Sequence, residues 1–256
     1  MTSKNPISDT ESLINNLNFE SEIDKQFFKR VYSTPKNIYK DRLSLIGFEK
    51  KEKILDAGCG FGQWTRVLSE LNENIYAVDS EHYRVNIAKQ ILKINNRENV
   101  SFHVGSIESL PFDDDIFDAI ISYSVIYWTD FKKSLKEFYR VLKPNGVVYF
   151  VANESGWYLY NLVTGHSSAS DYNARIYAIQ TFFSTIKYFI TGKKSKNSSL
   201  ILSRRSLSKF MKSIGFRKII CAEEGHIQIK KNVELHPFYP KKFLGLANVF
   251  EIWAEK

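Results

Sequence analysis

The sequence predicts an α/β protein built on a doubly wound, mostly parallel sheet. Three observations predict it. Short apolar runs of strand length (Ile54-Leu55, Ile75 to Val78, Phe117 to Tyr123) alternate with segments whose apolar residues recur at helical spacing. The first run leads through Asp56 into three glycines at alternate positions, Gly58, Gly60 and Gly62. The next run ends in Asp79, 17 positions beyond Gly62, where an α/β unit returns its second strand.

Composition sets the outer limits. The chain has 256 residues, 43% of them hydrophobic, which suits one domain with an insertion. No uncharged apolar run reaches 18 residues, so no transmembrane helix is expected. The start, MTSKNPISDTESLINNLNFE, is polar and lacks the apolar stretch of a secretory signal. Two cysteines, Cys59 and Cys221, are too few for a disulfide framework, and a cytoplasmic location is expected. The net charge of +8 suits an anionic partner, although a lysine-rich and asparagine-rich composition produces the same excess without any site.

The elements follow in order. Residues 1–20, rich in Ser, Asn and charge, read as a flexible start to a single domain over residues 21–256. Ile23, Phe27, Phe28 and Val31 fall at helical spacing, and Ile38, Tyr39, Leu43, Leu45 and Ile46 suggest a second helix after Pro35. Lys53 to Ala57 reads as a strand, the glycines as a tight turn, and the next helix as starting near Gln63 with Trp64, Val67, Leu68 and Leu71 on one face. Asn74 to Asp79 is a strand, Tyr83 to Ile94 a helix, and Val100 to Val104 a third strand. Phe117 to Tyr123 is apolar almost throughout, as at the centre of a parallel sheet buried on both faces. Thr129 or Asp130 caps a helix over Phe131 to Leu142, and Val147 to Val151 is the fifth strand. Arg205 to Gly215 reads as a helix, Phe216 to Cys221 and Asn248 to Ala254 as strands.

Gly58-x-Gly60-x-Gly62 is not the dinucleotide fingerprint, because Gln63 stands where its third glycine is needed. The pattern of two apolar residues, Asp56, and alternate glycines, followed by a strand ending in Asp79, instead resembles the class I S-adenosylmethionine-dependent methyltransferases of small-molecule type. Arg140-Val141-Leu142-Lys143-Pro144-Asn145-Gly146 resembles that family's R-V-L-K-P-G-G turn, with Asn145 at a position where φ > 0 is tolerated. The resemblance is closest over residues 40–152. It implies a seven-stranded Rossmann-like sheet with a helical lid, and S-adenosylmethionine as cofactor without a metal. It also implies a cofactor site over Asp56, Gly58, Gly60, Gly62, Trp64, Asp79, Ser80, Ser106, Ile107 and Tyr123. Ser106 stands where the family often has an acidic residue facing the adenine amino group, and Ile107 where an apolar residue lies against the ring. The N-terminal helices of such enzymes pack over the cofactor. Tyr39 or Arg42 would then reach the methionine carboxylate, unless Arg42 is simply solvent-exposed.

Residues 153–203 leave this pattern and read as a helical insertion over the acceptor. Within it, Ile176, Ile179, Phe183, Ile186 and Ile190 form one stripe of a helix from Ala174 to Thr191. Two readings stay open: a lid helix packed on the domain, or a helix at a membrane surface or a dimer contact. Trp157, Tyr158, Tyr160, Tyr172 and Tyr177 suit an apolar or planar substrate, or ordinary core packing. Tyr127 and His166 are the candidate general bases. His82, His103, His166, His226 and His236 are scattered, without the close pairs of a zinc site.

The function expected is methyl transfer to an O or N of a small-molecule acceptor. Two alternatives stand beside it: a macromolecule (RNA or protein) methyltransferase using the basic surface, and a non-catalytic methyltransferase-like partner subunit; nucleic acid is not the expected partner.

Overall fold

A computed structural model describes residues 17–166, 169–230 and 236–256. Seven strands form one sheet: β1 (Lys53–Ala57), β2 (Asn74–Asp79), β3 (Val100–Val104), β4 (Phe117–Tyr123), β5 (Leu142–Asn153), β6 (Arg217–Glu223) and β9 (Val249–Glu255). Their order is β3-β2-β1-β4-β5-β9-β6. The first five are parallel, and β9 runs antiparallel to both β5 and β6. A two-residue hairpin, β7 (Lys242–Phe243) with β8 (Leu246–Ala247), lies apart. The chain winds outward from β1 in both directions, so its carboxyl end and that of β4 flank the point where the strand order reverses. Open α/β sheets bind ligands there.

Alternate residues on each strand feed two cores. One face carries Ile54, Ile75, Ala119, Ile121, Tyr149 and Val151 under α2 (Lys36–Leu45) and α3 (Thr65–Leu71). Beside these, α1 (Glu22–Ser33) and α4 (His82–Ile94) meet through Phe28, Tyr32, Ile87 and Ile91 around Phe61. The opposite face carries Leu55, Val78, Ile120, Val148, Phe150 and Ile252 under α5 (Phe131–Val141) and α8 (Arg204–Ser213). The insertion supplies α6 (Ser155–Thr164) and α7 (Ala174–Thr191), which pack on each other.

Most sequence expectations hold to within two residues. Asp130 is the cap of α5, its carboxylate accepting from Lys132 N. The expected solvent-exposed Arg42 is instead buried, and it is described with the site below. Three further differences have physical causes. Helix α3 begins at Thr65, because Gly62, Gln63 and Trp64 complete the turn first. Strand β5 begins five residues early, at Leu142: Leu142 pairs with Phe117, and a bulge containing Asn145 at φ 64° brings Val147 opposite Ala119. The stripe of α7 faces solvent, whereas Ala174, Ala178, Thr181 and Tyr188 face the protein. Residues 1–16 of the expected flexible start lie outside the described residues.

Candidate functional site

The glycine turn is built from the ends of two neighbouring strands. As β1 ends, Gly58 N and Cys59 N both donate to the carbonyl of Val78, at 2.7 and 3.0 Å. Gly58, Gly60 and Gly62 have φ of 86°, 53° and 80°, a region that residues with a Cβ rarely adopt. Each glycine answers a different neighbour. A Cβ on Gly58 would lie 2.3 Å from Val125, and one on Gly62 3.0 Å from Ala88. Around Gly60 the space is looser, with Gln63 Oε1 at 3.8 Å and a Phe27 ring carbon at 4.0 Å. That Gln63 oxygen is buried without a hydrogen-bond partner among the described residues. An orphan acceptor beside an open glycine suits a ligand that brings N–H donors.

Two buried carboxylates flank the turn. Asp56, the penultimate residue of β1, is 1% exposed, and Thr65 Oγ1 donates to it at 2.6 Å. Burial pushes its carboxyl up to about 7, and nearby Asp79 adds to the effect. Asp79 ends β2 and accepts from Gly60 N at 2.8 Å on one oxygen and from Glu81 N at 3.0 Å on the other. It too is pushed up by burial, against the pull of those two N–H groups and Arg84. Cys59 is buried, its thiol pushed up by burial and by both carboxylates, so it is a packing residue rather than a nucleophile. Two desolvated carboxylates this close favour a cationic ligand, which would relieve them both.

The remaining cofactor candidates divide. Trp64 is buried between Tyr39 and Tyr123, each ring 4.8 Å away. Tyr123 OH donates to Glu224 at 2.7 Å. Ser80 and Ser106 are exposed at the ends of β2 and β3, and Ser106 Oγ accepts from Glu108 N. Ile107 turns into the core with Leu55, Val78 and Tyr127. Arg42 is not available to a methionine carboxylate. It is 2% exposed, donating to Glu224 at 2.6 Å, Tyr149 OH at 3.1 Å and the His236 carbonyl at 2.7 Å. Tyr39 is engaged as well, its OH donating to the Val31 carbonyl.

The two candidate bases differ in exposure. Tyr127 is buried in the main core, and burial beside the Tyr177 and Tyr239 phenols pushes its own hydroxyl well above the usual range. It is a neutral hydrogen-bond donor at physiological pH. His166 is exposed just beyond the end of α6. An aromatic wall runs from the loop after β4 into the insertion: Tyr127, Trp128, Tyr177 and Tyr158 contact one another in sequence, with centroids 5.6–6.1 Å apart. Val125, in the loop after β4, covers Gly58. Sequence reading passed over Glu224, whose burial follows from pairing across 182 residues with Arg42. It also passed over Glu154, just after β5, ion-paired with Arg204 at 3.2 Å. Neither glutamate stands in a local pattern that marks it.

Among the described residues no three His, Cys, Asp or Glu side chains gather as a metal site. A groove of about 670 Å³ lies along the outer edge of the sheet, lined by Lys89, Lys93, Val100, Phe102 and His103. It opens beside β3, not at the strand ends that carry the glycine turn.

Residues 55–150, from β1 to β5, match the family model of a methyltransferase domain. This part of the chain belongs to the class I S-adenosylmethionine-dependent methyltransferases. Over 110 residues the chain is 34% identical to a demethylmenaquinone methyltransferase of Staphylococcus epidermidis, covering 41% of this chain and 45% of that protein. It is 32% identical over 108 residues to a malonyl-[acyl-carrier protein] O-methyltransferase of Serratia marcescens, covering 41% and 40%. The chain thus spans less than half the length of these curated relatives. The YcgJ protein of Bacillus subtilis has the same fold, with a TM-score of 0.55 at 16% identity over 87% of this chain and 99% of that one. The methyltransferase core is therefore the shared part, and the insertion lies beyond the matched residues.

Proposed function

We propose that this protein transfers a methyl group from S-adenosylmethionine to an O or N atom of a small-molecule acceptor with an apolar or planar body. The observation that carries the reading is the pair of buried carboxylates, Asp56 and Asp79, on either side of the glycine turn. When bound, S-adenosylmethionine supplies an electrophilic methyl on a cationic sulfur, so the protein has mainly to position and desolvate. Asp79 has lone pairs to spare for ribose hydroxyls, and Gln63 Oε1 with the open space at Gly60 suits the ammonium end. The loop 124–128 and the aromatic wall of α6 and α7 would hold the acceptor and exclude water. Tyr127, buried and protonated, orients it by donating a hydrogen bond. The names of the two relatives point to a menaquinone-type acceptor, which has a large apolar body, and to a malonyl group on an acyl carrier protein, which is short and polar; the aromatic wall favours the first kind.

Calorimetric titration with S-adenosylmethionine and S-adenosylhomocysteine tests the cofactor half of this reading. Binding in the micromolar range is expected for the wild type. Asp79→Asn should weaken it at least about tenfold, the cost of one charge-assisted hydrogen bond, while its melting temperature shows that the fold persists. No binding of either ligand to the folded wild type would refute the enzyme reading and leave the partner-subunit alternative.

A further inference from the structure

We propose that α7 is a membrane-docking element, whose outward face lies on the surface of a bilayer containing anionic phospholipid. The helix is inverted with respect to an ordinary packed helix. Its inward face holds small and hydroxyl side chains tied down by named contacts: Thr181 and Ser199 share a hydrogen bond of 2.7 Å, Thr185 Oγ1 accepts from Ile201 N at 2.9 Å, and Tyr188 OH donates to Asp130 at 2.7 Å. Its outward face holds Ile176, Ile179, Phe182, Phe183, Ile186 and Ile190, all exposed, with Phe183 65% and Ile190 78% accessible. At about 100° per residue these six fall within about a third of the helix circumference. The inward contacts fix the roll of the helix, so the apolar face cannot turn into the core without breaking them. A stripe of this size on a surface helix marks an interaction site.

Charge selects the occupant. Residues 172–222 contain 11 of the chain's 36 Lys and Arg and none of its 28 Asp and Glu. The other residues carry 25 basic against 28 acidic side chains, so the whole positive excess of the chain resides in this segment. Arg175 and Lys187 lie on α7 itself, and Lys193 and Lys196 follow its end. An amphipathic helix with an apolar face and basic flanks partitions into an anionic interface. A second copy of the chain, docked two-fold on the same face, would bring the basic segment against itself. Among the described residues no helix is long and apolar enough to cross a membrane. The same helix carries Tyr177 on its protein-facing side, in ring contact with Trp128 at 5.6 Å, so the docking element is tied to the aromatic wall. Docking does not depend on the methyltransferase reading, and the two are measured separately.

Sedimentation with vesicles of phosphatidylcholine, with and without phosphatidylglycerol, tests the proposal. The wild type should pellet with the anionic vesicles and less with the neutral ones, and added salt should release it. The pair Phe183→Ser/Ile190→Ser should lower the partition coefficient at least about tenfold, and Lys193→Glu/Lys196→Glu should lower it as well. These side chains are exposed, so both variants should keep the wild-type melting temperature. Wild-type protein that stays in the supernatant with anionic vesicles would overturn the proposal. So would full binding by the Phe183→Ser/Ile190→Ser variant. A dimer seen by light scattering that this variant dissolves, without vesicle binding, would assign the face to a second copy. Salt-sensitive binding to RNA in place of vesicles would assign the basic segment to nucleic acid.

Discussion

Asp56 holds a proton more tightly in the folded protein than in the unfolded chain, because burial opposes its charge and raises its pKa from 3.8 to about 7. The folded state therefore binds more protons than the unfolded state between those values, and stability falls as pH rises through them. The loss is up to about 4 kcal/mol across the window, at about 1.4 kcal/mol per pH unit. Asp79, shifted in the same direction, adds to it. We expect the melting temperature to fall between pH 4 and pH 7, and Asp56→Asn to flatten that fall while keeping the hydrogen bond from Thr65. Identical pH profiles for the two proteins would mean that Asp56 is ionised and relieved by a partner. At this scale the sequence identified Asp56 and Asp79 from their positions at strand ends. It misjudged the exposure of Arg42, because one residue's burial depends on what the distant chain brings to it. Glu224 and Glu251 reach Arg42 from 182 and 209 residues away.

The element that matters most is the glycine turn, where local and tertiary requirements coincide. Gly58 combines a left-handed backbone with the close approach of Val125 from the loop after β4. A Cβ in that conformation costs about 1–2 kcal/mol by itself. Gly58→Ala should cost more than this, measured by urea denaturation. The double variant Gly58→Ala/Val125→Ala should recover the steric part and leave the backbone part. No recovery would mean that Val125 yields without cost. Strands β1 to β4 were readable to the residue, because apolar runs of that length, bounded by turns, have one outcome in a parallel sheet. The early start of β5 was not. Pro144-Asn145-Gly146 reads locally as a turn, and its pairing with β4 depends on the bulge that absorbs the extra residues. Helix α7 was placed correctly along the chain and its apolar stripe recognised, but periodicity gives a face and not the direction in which it points.

On the scale of the whole molecule, one buried ion network joins the N-terminal helices to the C-terminal strands. Arg42 on α2 meets Glu224 after β6 and Glu251 on β9, while Gly225 N and His226 N also donate to Glu251. Arg42→Met should destabilise by about 3–5 kcal/mol, because it leaves two buried carboxylates without their cation. Arg42→Lys should recover only part of that, since one ammonium cannot replace the guanidinium that reaches Glu224, Tyr149 and the His236 carbonyl at once. Equal urea midpoints for Arg42→Met and the wild type would show that the backbone N–H groups with the Tyr123 and Tyr149 hydroxyls satisfy the two glutamates.

The sequence by itself determined the α/β class, the strands of the parallel half, the glycine turn with its two acidic neighbours, and the methyltransferase resemblance. These rest on local rules: glycine for positive φ, apolar runs for buried strands, and short spacings between motif residues. Only the tertiary structure decided that Arg42 is buried in an ion network, that Tyr127 is buried against the core, and that the apolar stripe of α7 points outward. Each of those depends on which distant residues arrive beside it, and desolvation, pairing and the roll of a helix are properties of the assembled neighbourhood rather than of any stretch of chain.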